Sequence, residues 1–458
     1  MIIVSVDIMN VTVKKEDVII MNRITIKELE NHIGETLEVE GFIANIRDLQ
    51  YVQFVILRDG TDTIQMTIEK SEEKNKEMVE LISNTTLEST IKATVLVSQN
   101  EKVKLRGMEL IPEKIEITSH SLPELPIDMK DKEKTLRETR LDYRFLDLRR
   151  KENHLFFQVE TLLEHAAREY FLNHQYIEIH TPKISAKAAE SGAEVFHLDY
   201  FGEDACLSQS PQFYKQMAMA SGFDQVFEIG PAFRAENSHT SYHATEINML
   251  DVEASWLHTC DDVMDIEEGL IKYIFQRLQE TYGKEIEEVW HVTLSDVSMK
   301  FPRIPFVEAK RILKEEMHFV GERTDDFERQ EEELLCKYAK KKYGSDFVFV
   351  TDFPFAARPF YHMLNEDGTT KSYDLLFKGV EITTGAIREH RIDVLTKQIK
   401  EKEIDPESLK FYLEFFKYGC PPHGGFAIGI ARLMMQIFEL DNIREATFIY
   451  RGPTRLNP

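Results

Sequence analysis

Cysteine is scarce in this sequence: four occur among 458 residues, at positions 206, 260, 336 and 420. No two of them form a Cys-x-x-Cys pair, so neither a disulfide framework nor a zinc site is expected. A composition of this kind is typical of proteins in the reducing cytosol. The sequence therefore predicts a cytoplasmic protein.

Long apolar runs and an excess of positive charge are also missing. No uninterrupted apolar segment approaches the roughly 20 residues that a membrane-spanning helix requires, so no membrane partner is predicted. Lys and Arg number 56 against 80 Asp and Glu, which gives a net charge of −24. This balance argues against binding nucleic acid through a generally basic surface, but it leaves room for a local basic groove.

Residues 21–119 have the pattern of a small β-barrel, and we interpret residues 1–20 before them as an N-terminal extension. Five β-like runs alternate apolar and polar residues, and a helical stretch at 71–83 separates the third run from the fourth. This order is that of an OB barrel, which commonly binds single-stranded nucleic acid. The pattern alone fits another small barrel equally well. The Pro-punctuated residues 120–135 then indicate a linker.

Residues 136–458 have the pattern of a large α+β domain built on a mostly antiparallel sheet. Apolar residues at helical spacing, as in 154–174, alternate with strand-like runs such as 225–230 and 347–354. Residues 257–345 are acidic and helical, and we interpret them as an elaboration of this domain. The fold class predicted for the whole chain is therefore an all-β OB barrel followed by an α+β domain.

A first polar constellation lies in residues 227–255, where one strand-like run leads into a polar loop and a second run leads out. Arg234 and Glu236, with His243 beyond the turn, would place a cation, an acceptor and a further donor over one face. Such a set suits a nucleotide, because arginine binds phosphate and a carboxylate accepts from an amino group. Taken alone, a solvated charged hairpin is the simpler interpretation.

Two more constellations follow. Asp374 and Glu381, in residues 372–390, would hold Mg²⁺ beside a phosphate-binding arginine, although an isolated pair with this spacing is better explained as a cross-strand charge pair. In residues 418–438 a Pro- and Gly-rich turn precedes a strand and a helix that carries Arg432. The glycines permit close approach to a flat ligand, and Arg432 could reach a phosphate. The Walker and Rossmann glycine spacings are absent.

In this order, the three segments resemble motif 2, the metal-binding strand and motif 3 of class II aminoacyl-tRNA synthetases. The finer resemblance is to aspartyl-tRNA synthetases of the archaeal type, within the aspartate, asparagine and lysine subgroup. Four further segments agree with that family: residues 136–150, 178–184 in the place of motif 1, 190–196 and 207–217. The resemblance extends over residues 21–458, and it implies that the N-terminal barrel binds the anticodon.

The resemblance also implies roles for individual residues. Arg234 and Arg432 would be the catalytic arginines that neutralise the phosphates of ATP. The ATP site would comprise Arg234, Glu236, His243, Glu381, Gly429 and Arg432. Aspartate would be bound by Glu190, Gln212, Lys215, Arg234, Thr384 and Arg388. Mg²⁺ would be held by Asp374, Glu381 and Thr384, and the anticodon by Arg47, Phe54 and Gln65.

By the same resemblance, the protein would be an aspartate–tRNA ligase that activates L-aspartate with ATP and Mg²⁺ and transfers it to tRNA(Asp). Whether tRNA(Asn) is a second acceptor stays open. A homodimer is implied, with motif 1 around Pro182 at its interface. Lys215 and Arg388 favour aspartate over asparagine, because a carboxylate gains from a charge-assisted cationic partner and an amide does not.

Four positions depart from the usual motifs of the family. Tyr242 replaces an arginine, Ala386 and Ala427 replace glycines, and Ala431 replaces a glutamate. These departures keep an alternative open, namely a diverged paralogue that uses asparagine, serves an acceptor other than tRNA, or binds tRNA without catalysis. The retained arginines and metal carboxylates count against the catalytically idle form of that alternative.

Overall fold

The computed structural model describes residues 23–186 and 194–457, and the chain divides into two compact units. The first unit ends at Lys134 and the second begins at Thr135. Each unit has its own hydrophobic core. Within the described residues, no helix is long and apolar enough to cross a membrane.

The first unit is a closed β-barrel. Its strands within residues 23–134 are β1 (Thr36–Asp48), β2 (Val52–Arg58), β3 (Thr63–Glu69), β4 (Thr90–Gln99) and β5 (Met108–Ser119), and helix α1 (Lys76–Ser83) lies between β3 and β4 in the chain. The strands pair in the order β1-β2-β3-β5-β4. Alternate residues such as Val55, Leu57 and Met66 fill the interior. The predicted OB order, with a helix between the third and fourth strands, is confirmed.

The second unit is built on a large sheet. Its described strands are β6 (Ile177–Glu178), β10 (Gln225–Phe233), β11 (Glu246–Ser255), β12 (Arg303–Pro305), β13 (Phe347–Thr351), β14 (Ser372–Phe377), β15 (Val380–Arg388) and β16 (His423–Gly429). Their order is β12-β13-β14-β15-β16-β11-β10-β6. The pairs at the two edges are parallel and the others are antiparallel. The prediction of a mostly antiparallel sheet is therefore confirmed.

A smaller sheet stands beside the large one. Its strands are β7 (Ile184–Ala186), β8 (His197–Tyr200) and β9 (Glu203–Leu207), and β9 lies between the other two. The helices of the second unit are α2 (Arg137–Asp142), α3 (Arg144–Asp147), α4 (Lys151–Asn173), α5 (Gln212–Ala220), α6 (Cys260–Trp290), α7 (Phe306–Glu315), α8 (Arg329–Tyr343), α9 (Ile392–Glu401), α10 (Lys410–Phe416) and α11 (Ile430–Ile437). Helices α4 and α6 pack together and enclose the main core against the large sheet.

The acidic segment 257–345 contributes both to the main core and to the large sheet. Helix α6 buries an apolar stripe that includes Leu270 and Ile274 in the main core, and β12 extends the large sheet. Acidic residues such as Asp265 and Glu280 lie on the exposed face of the helix, whereas Glu267 and Glu268 are buried. The acidic composition of the segment did not reveal this buried stripe, because the residues of both faces of an amphipathic helix are mixed along the sequence.

Candidate active site

One row of residues crosses four neighbouring strands of the large sheet. Asp374 on β14 pairs with Thr384 on β15, Thr384 pairs with Ala427 on β16, and Ala427 pairs with Asp251 on β11. Residues paired across strands project from the same face of a sheet. The antiparallel order therefore brings the three sequence constellations to one surface, although they lie far apart in the chain.

A first cavity, of about 160 Å³, is lined by Thr384 and Ala427 of this row. All the residues predicted to bind ATP line it: Arg234, Glu236, His243, Glu381, Gly429 and Arg432. Gly429 ends β16, and Arg432 lies in the first turn of α11. The guanidinium of Arg432 donates a hydrogen bond to the backbone oxygen of Glu381 at 3.3 Å.

The two arginines of this cavity keep their charge available. Both Arg234 and Arg432 are half-buried, and within the described residues neither forms an ion pair with a carboxylate. A half-buried guanidinium without an anionic partner attracts an anion strongly, because little water screens it. The cavity is therefore suited to a phosphate group.

The loop between β10 and β11 carries the remaining polar groups of this cavity. Strand β10 ends at Phe233, so Arg234 and Glu236 both lie in the loop and not on a strand. His243 Nε2 lies 3.8 Å from a carboxylate oxygen of Glu236. Burial and the neighbouring Arg432 lower the pKa of His243 below its ordinary value. The ring is therefore neutral at pH 7 and able to accept as well as donate.

The carboxylates predicted to hold Mg²⁺ meet at a hydroxyl. The Oγ1 atom of Thr384 lies 2.9 Å from Asp374 Oδ1 and 2.9 Å from Glu381 Oε1. Burial raises the pKa of Asp374, as does the nearby Glu381, and Arg358 opposes this rise with two hydrogen bonds of 2.9 and 2.5 Å. Sequence reasoning missed Arg358, which follows a short helical turn after β13.

This donor set fits a magnesium ion that is shared with a substrate. Within the described residues, no group of three or more His, Cys, Asp or Glu side chains could hold a metal unaided. Mg²⁺ commonly binds one or two carboxylates and completes its octahedron with water and substrate phosphates. The raised pKa of Asp374 agrees with a site where bound positive charge would be favourable. Asp374 and Glu381 therefore suit a cation that arrives with ATP.

A second cavity, of about 290 Å³, adjoins the first. The residues on its surface that were predicted to bind aspartate are Gln212, Lys215, Arg234, Thr384 and Arg388. The remaining predicted residue, Glu190, lies outside the described part of the chain. Arg234 lines both cavities, as do Glu236 and Thr384. The two spaces therefore meet at Arg234.

Two of the cations that line this second cavity, Lys215 and Arg388, are already paired with carboxylates, which sequence reasoning missed. Lys215 Nζ lies 3.1 Å from Asp251 and 3.3 Å from Glu253, and Arg388 Nε donates to Glu253 at 3.0 Å. All four side chains are almost completely buried. Burial alone would raise the pKa of Glu253, but Arg388 and Lys215 hold it below its ordinary value. A signal was present, since Asp251 and Glu253 alternate with the apolar residues Leu250, Val252 and Ala254.

A buried histidine adds a neutral group beside Arg388. His362 Nε2 lies 3.3 Å from the Arg388 guanidinium. Burial and the charges of Arg388 and Arg358 hold the pKa of His362 well below its ordinary value, so the ring is uncharged. His362 therefore accepts a hydrogen bond from Arg388 and fixes the direction of the guanidinium.

The departures from the family motifs differ in where they lie. Tyr242, Ala427 and Ala431 line the first cavity, and Ala427 also lines the second. Ala386 is completely buried on β15 and lines neither cavity. Three of the four departures therefore touch the space where a nucleotide would lie.

The barrel unit places its three predicted residues on one outer face. Arg47 on β1 pairs with Phe54 on β2, and Phe54 pairs with Thr67 on β3. Gln65 is two residues from Thr67 and donates a hydrogen bond to its hydroxyl at 3.2 Å. Arg47 is exposed, and Phe54 and Gln65 are half-buried. A cation, an aromatic ring and an amide are thus available on the same surface.

Comparison with known families agrees with both units. Residues 136–450 match the family model of class II tRNA synthetases (D, K and N), and residues 37–118 match that of the OB-fold nucleic acid binding domain. The chain belongs to the class II aminoacyl-tRNA synthetases of the aspartate, lysine and asparagine group. Within that group, it is similar over 93% of its length to an aspartate–tRNA(Asp/Asn) ligase of Methanopyrus kandleri, with 41% identity and 96% of that protein covered.

Further relatives bear names of the same kind. An aspartate–tRNA(Asp) ligase of Pyrococcus abyssi is 40% identical over 93% of this chain and 97% of its own length. Among solved structures, an asparaginyl-tRNA synthetase from Pyrococcus horikoshii complexed with asparaginyl-adenylate superposes with a TM-score of 0.87. It shares 31% identity and covers 96% of this chain and 100% of its own. The resemblance noted from the sequence motifs is thereby confirmed.

Proposed function

We propose that this protein is an aspartate–tRNA ligase, which activates L-aspartate with ATP and transfers it to the 3′ end of tRNA(Asp). The observation that carries this proposal is the position of Arg234 between the two cavities. One cavity has the groups for a nucleotide and the other has the groups for a charged amino acid. A guanidinium at their junction lies where an amino-acid carboxylate would meet the α-phosphate.

The first step is adenylation. A carboxylate oxygen of aspartate attacks the α-phosphorus of ATP, the bond from that phosphorus to the bridging oxygen breaks, and pyrophosphate leaves. Arg234 neutralises charge at the α-phosphate, and Arg432 binds the terminal phosphates. Mg²⁺, held by Asp374 and Glu381 beside Thr384, would supply further neutralisation of phosphate charge when bound. Positioning and electrostatics therefore supply the catalysis.

The second step is transfer to tRNA. A ribose hydroxyl at the 3′ end of the tRNA attacks the carbonyl carbon of aspartyl-adenylate, an ester forms, and AMP leaves with the bonding electron pair. The hydroxyl proton is released into solvent or is transferred to the adenylate phosphate. No side chain is assigned as a general base. The neutral His243 and the half-buried Glu236 bind the nucleotide during both steps.

Selection of aspartate rests on the buried charges of the second cavity. Lys215 and Arg388 are held at fixed positions by Asp251, Glu253 and His362. A rigid cationic pair binds a carboxylate and leaves an amide without a charge-assisted partner. The relatives at about 40% identity are named aspartate ligases, which agrees with this choice over asparagine.

The barrel is proposed to bind the anticodon. Phe54 would stack on a base, with Arg47 and Gln65 donating hydrogen bonds beside it. Relatives include both an aspartate–tRNA(Asp) ligase and aspartate–tRNA(Asp/Asn) ligases, so tRNA(Asn) is the second acceptor to be tested. We further propose a cytoplasmic homodimer with the segment around Pro182 at its interface.

ATP–pyrophosphate exchange with purified protein and Mg²⁺ tests the proposal. Exchange that depends on aspartate and not on asparagine is the expected result. Exchange with asparagine alone would contradict the substrate assignment, and no exchange with either amino acid would contradict ligase activity. Aminoacylation of tRNA(Asp) and tRNA(Asn) transcripts would then determine which acceptors are charged.

A further inference from the structure

The loop of residues 234–245, here called the nucleotide loop, carries groups that must be held in place. Glu236 and His243 are both more than a third exposed. The loop backbone is tied to the C-terminal part of the chain, since Ser241 accepts from Ile443 and Thr245 donates to Arg451. The ring of Tyr242 provides a separate side-chain contact, on the side of helix α8.

That contact is a cation–π interaction. The guanidinium of Arg329, the first residue of α8, lies 3.7 Å from the centre of the Tyr242 ring. This distance is well inside the roughly 6 Å at which a cation is attracted to an aromatic face, and a planar guanidinium is able to stack on it. Glu333, one turn along the helix, pairs with Arg329 at 3.1 Å and limits its freedom.

The same turn of α8 also contacts the strands that carry the metal carboxylates. Glu332 accepts a hydrogen bond from the backbone nitrogen of Glu381 at 3.3 Å. A Cβ atom at Gly379, in the turn between β14 and β15, would lie only 2.9 Å from Glu333 Cγ. The first turn of α8 is therefore fixed against β15, while Arg329 reaches to the nucleotide loop.

We infer that Arg329 is a positioning residue for ATP. By stacking on Tyr242, it holds the nucleotide loop, with Glu236 and His243, at a fixed distance from Glu381 and Arg432. It also places a positive charge beside a cavity where the ring of Tyr242 forms part of the wall. This inference rests on the proposed function, and it gives the first turn of α8 a role in binding ATP.

The test combines kinetics with direct binding. Arg329→Ala and Tyr242→Ala are each expected to raise the ATP dissociation constant about tenfold, the size of a partly desolvated cation–π contact. Equilibrium dialysis with ATP and Mg²⁺ measures this constant. In aspartate-dependent pyrophosphate exchange the KM for ATP should rise equally, while the KM for aspartate stays unchanged. The melting temperature should stay unchanged in Arg329→Ala, whereas Tyr242→Ala should also lower it, because Tyr242 packs against the main core.

Two further variants separate stacking from general loss of charge. Tyr242→Phe keeps the ring on which Arg329 stacks, so it is expected to restore most of the ATP affinity that Tyr242→Ala loses. Arg311→Ala is the matched control, because Arg311 is likewise an exposed helical arginine paired with a glutamate four residues along. It should leave ATP binding unaltered. The double variant Arg329→Ala/Tyr242→Ala should bind ATP no more weakly than either single variant, since both remove the same contact.

Three results would overturn the inference. The first is an unchanged ATP dissociation constant in Arg329→Ala. The second is a fully multiplicative loss of ATP affinity in the double variant. The third is a loss of aspartate binding and of thermal stability in Arg329→Ala that is as large as its loss of ATP binding. A wild-type protein without exchange activity would contradict the proposed function alone. Dialysis would still decide the role of Arg329 in that case, because it measures binding rather than catalysis.

Discussion

The two adjoining cavities hold their positive charges in opposite ways. In the second cavity, Lys215 and Arg388 are almost completely buried and already paired with Asp251 and Glu253. In the first cavity, Arg234 and Arg432 are half-buried, and no carboxylate of the described residues forms an ion pair with either. One set of cations is built into the fold, and the other is exposed to a ligand.

This difference separates stability from binding. A buried ion pair that loses one partner leaves an uncompensated charge in the interior, which destabilises the fold. A half-buried arginine that has no ion-pair partner contributes little to folding, because its removal leaves no buried charge without a partner. Substitution of Lys215 or Arg388 should therefore affect both folding and activity, whereas substitution of Arg234 or Arg432 should affect activity alone.

The largest effect is expected from Lys215→Ala. Removal of the ammonium leaves Asp251 and Glu253 buried with less positive charge, so the free energy of unfolding should fall by about 3 to 5 kcal/mol. Aspartate-dependent exchange should be lost as well. Chemical denaturation measures the first effect, with Lys284→Ala as the control, because Lys284 is 88% exposed in its ion pair. An unchanged denaturation midpoint in Lys215→Ala would contradict the comparison.

Arg432→Ala should show the opposite behaviour. Loss of a preorganised cation at the phosphates should weaken stabilisation of the transition state by about 3 to 4 kcal/mol. The value of kcat/KM for ATP should therefore fall roughly a hundred- to a thousandfold. The melting temperature should stay within about a degree of wild type, because no buried charge loses its partner. Pyrophosphate exchange and thermal unfolding measure the two effects. A large fall in melting temperature would mean that Arg432 is structural.

Glu267 is a further buried acid, and it accepts a hydrogen bond from a tyrosine. Glu267 on α6 is completely buried and accepts a hydrogen bond of 2.7 Å from Tyr373, and burial raises its pKa to about 8. Between its unfolded pKa and about 8, the folded state retains a proton that the unfolded state has lost, so stability falls as pH rises. This loss is about 1.4 kcal/mol for each pH unit.

Glu267→Gln should remove that dependence on pH, because an amide does not ionise and can still accept from Tyr373. The variant should therefore gain about 3 kcal/mol over wild type between pH 6 and pH 8. Denaturation at both pH values measures the gain. A difference between variant and wild type that does not change with pH would show that Glu267 is ionised in the folded protein.

The smallest effect is expected in the barrel. Phe54→Ala should weaken binding of tRNA(Asp) by about 1 to 2 kcal/mol, the contribution of one stacked base. Exchange without tRNA should not change, because the residues that line the two cavities, from Gln209 to Ile443, all belong to the second unit. Filter binding with the tRNA transcript measures this effect. Equal binding by wild type and variant would remove Phe54 from the proposed anticodon surface.

The five strands of the barrel and the helix between the third and fourth were predicted from the sequence, because alternation and turn residues are local properties of the chain. For the second unit only a mostly antiparallel sheet was predicted, and the order of its strands was not. Arg234, Glu381 and Arg432 were expected together through the resemblance to a family, and the sheet brings them to one cavity. The pairing of Lys215 with Asp251 could not be predicted, because it depends on the register of β11 and the packing of α5 across it. Likewise, nothing in the local sequence places Arg358 beside Asp374.

Arg234 has a thermodynamic consequence through its place at the junction of the two cavities. The first substrate to bind would fix the guanidinium. The second substrate would then bind an arginine that has already lost its side-chain conformational entropy. ATP and aspartate should therefore raise each other's affinity by the same factor, whichever binds first, as linkage requires. Each substrate would therefore bind more weakly when the other is absent, before any bond is made.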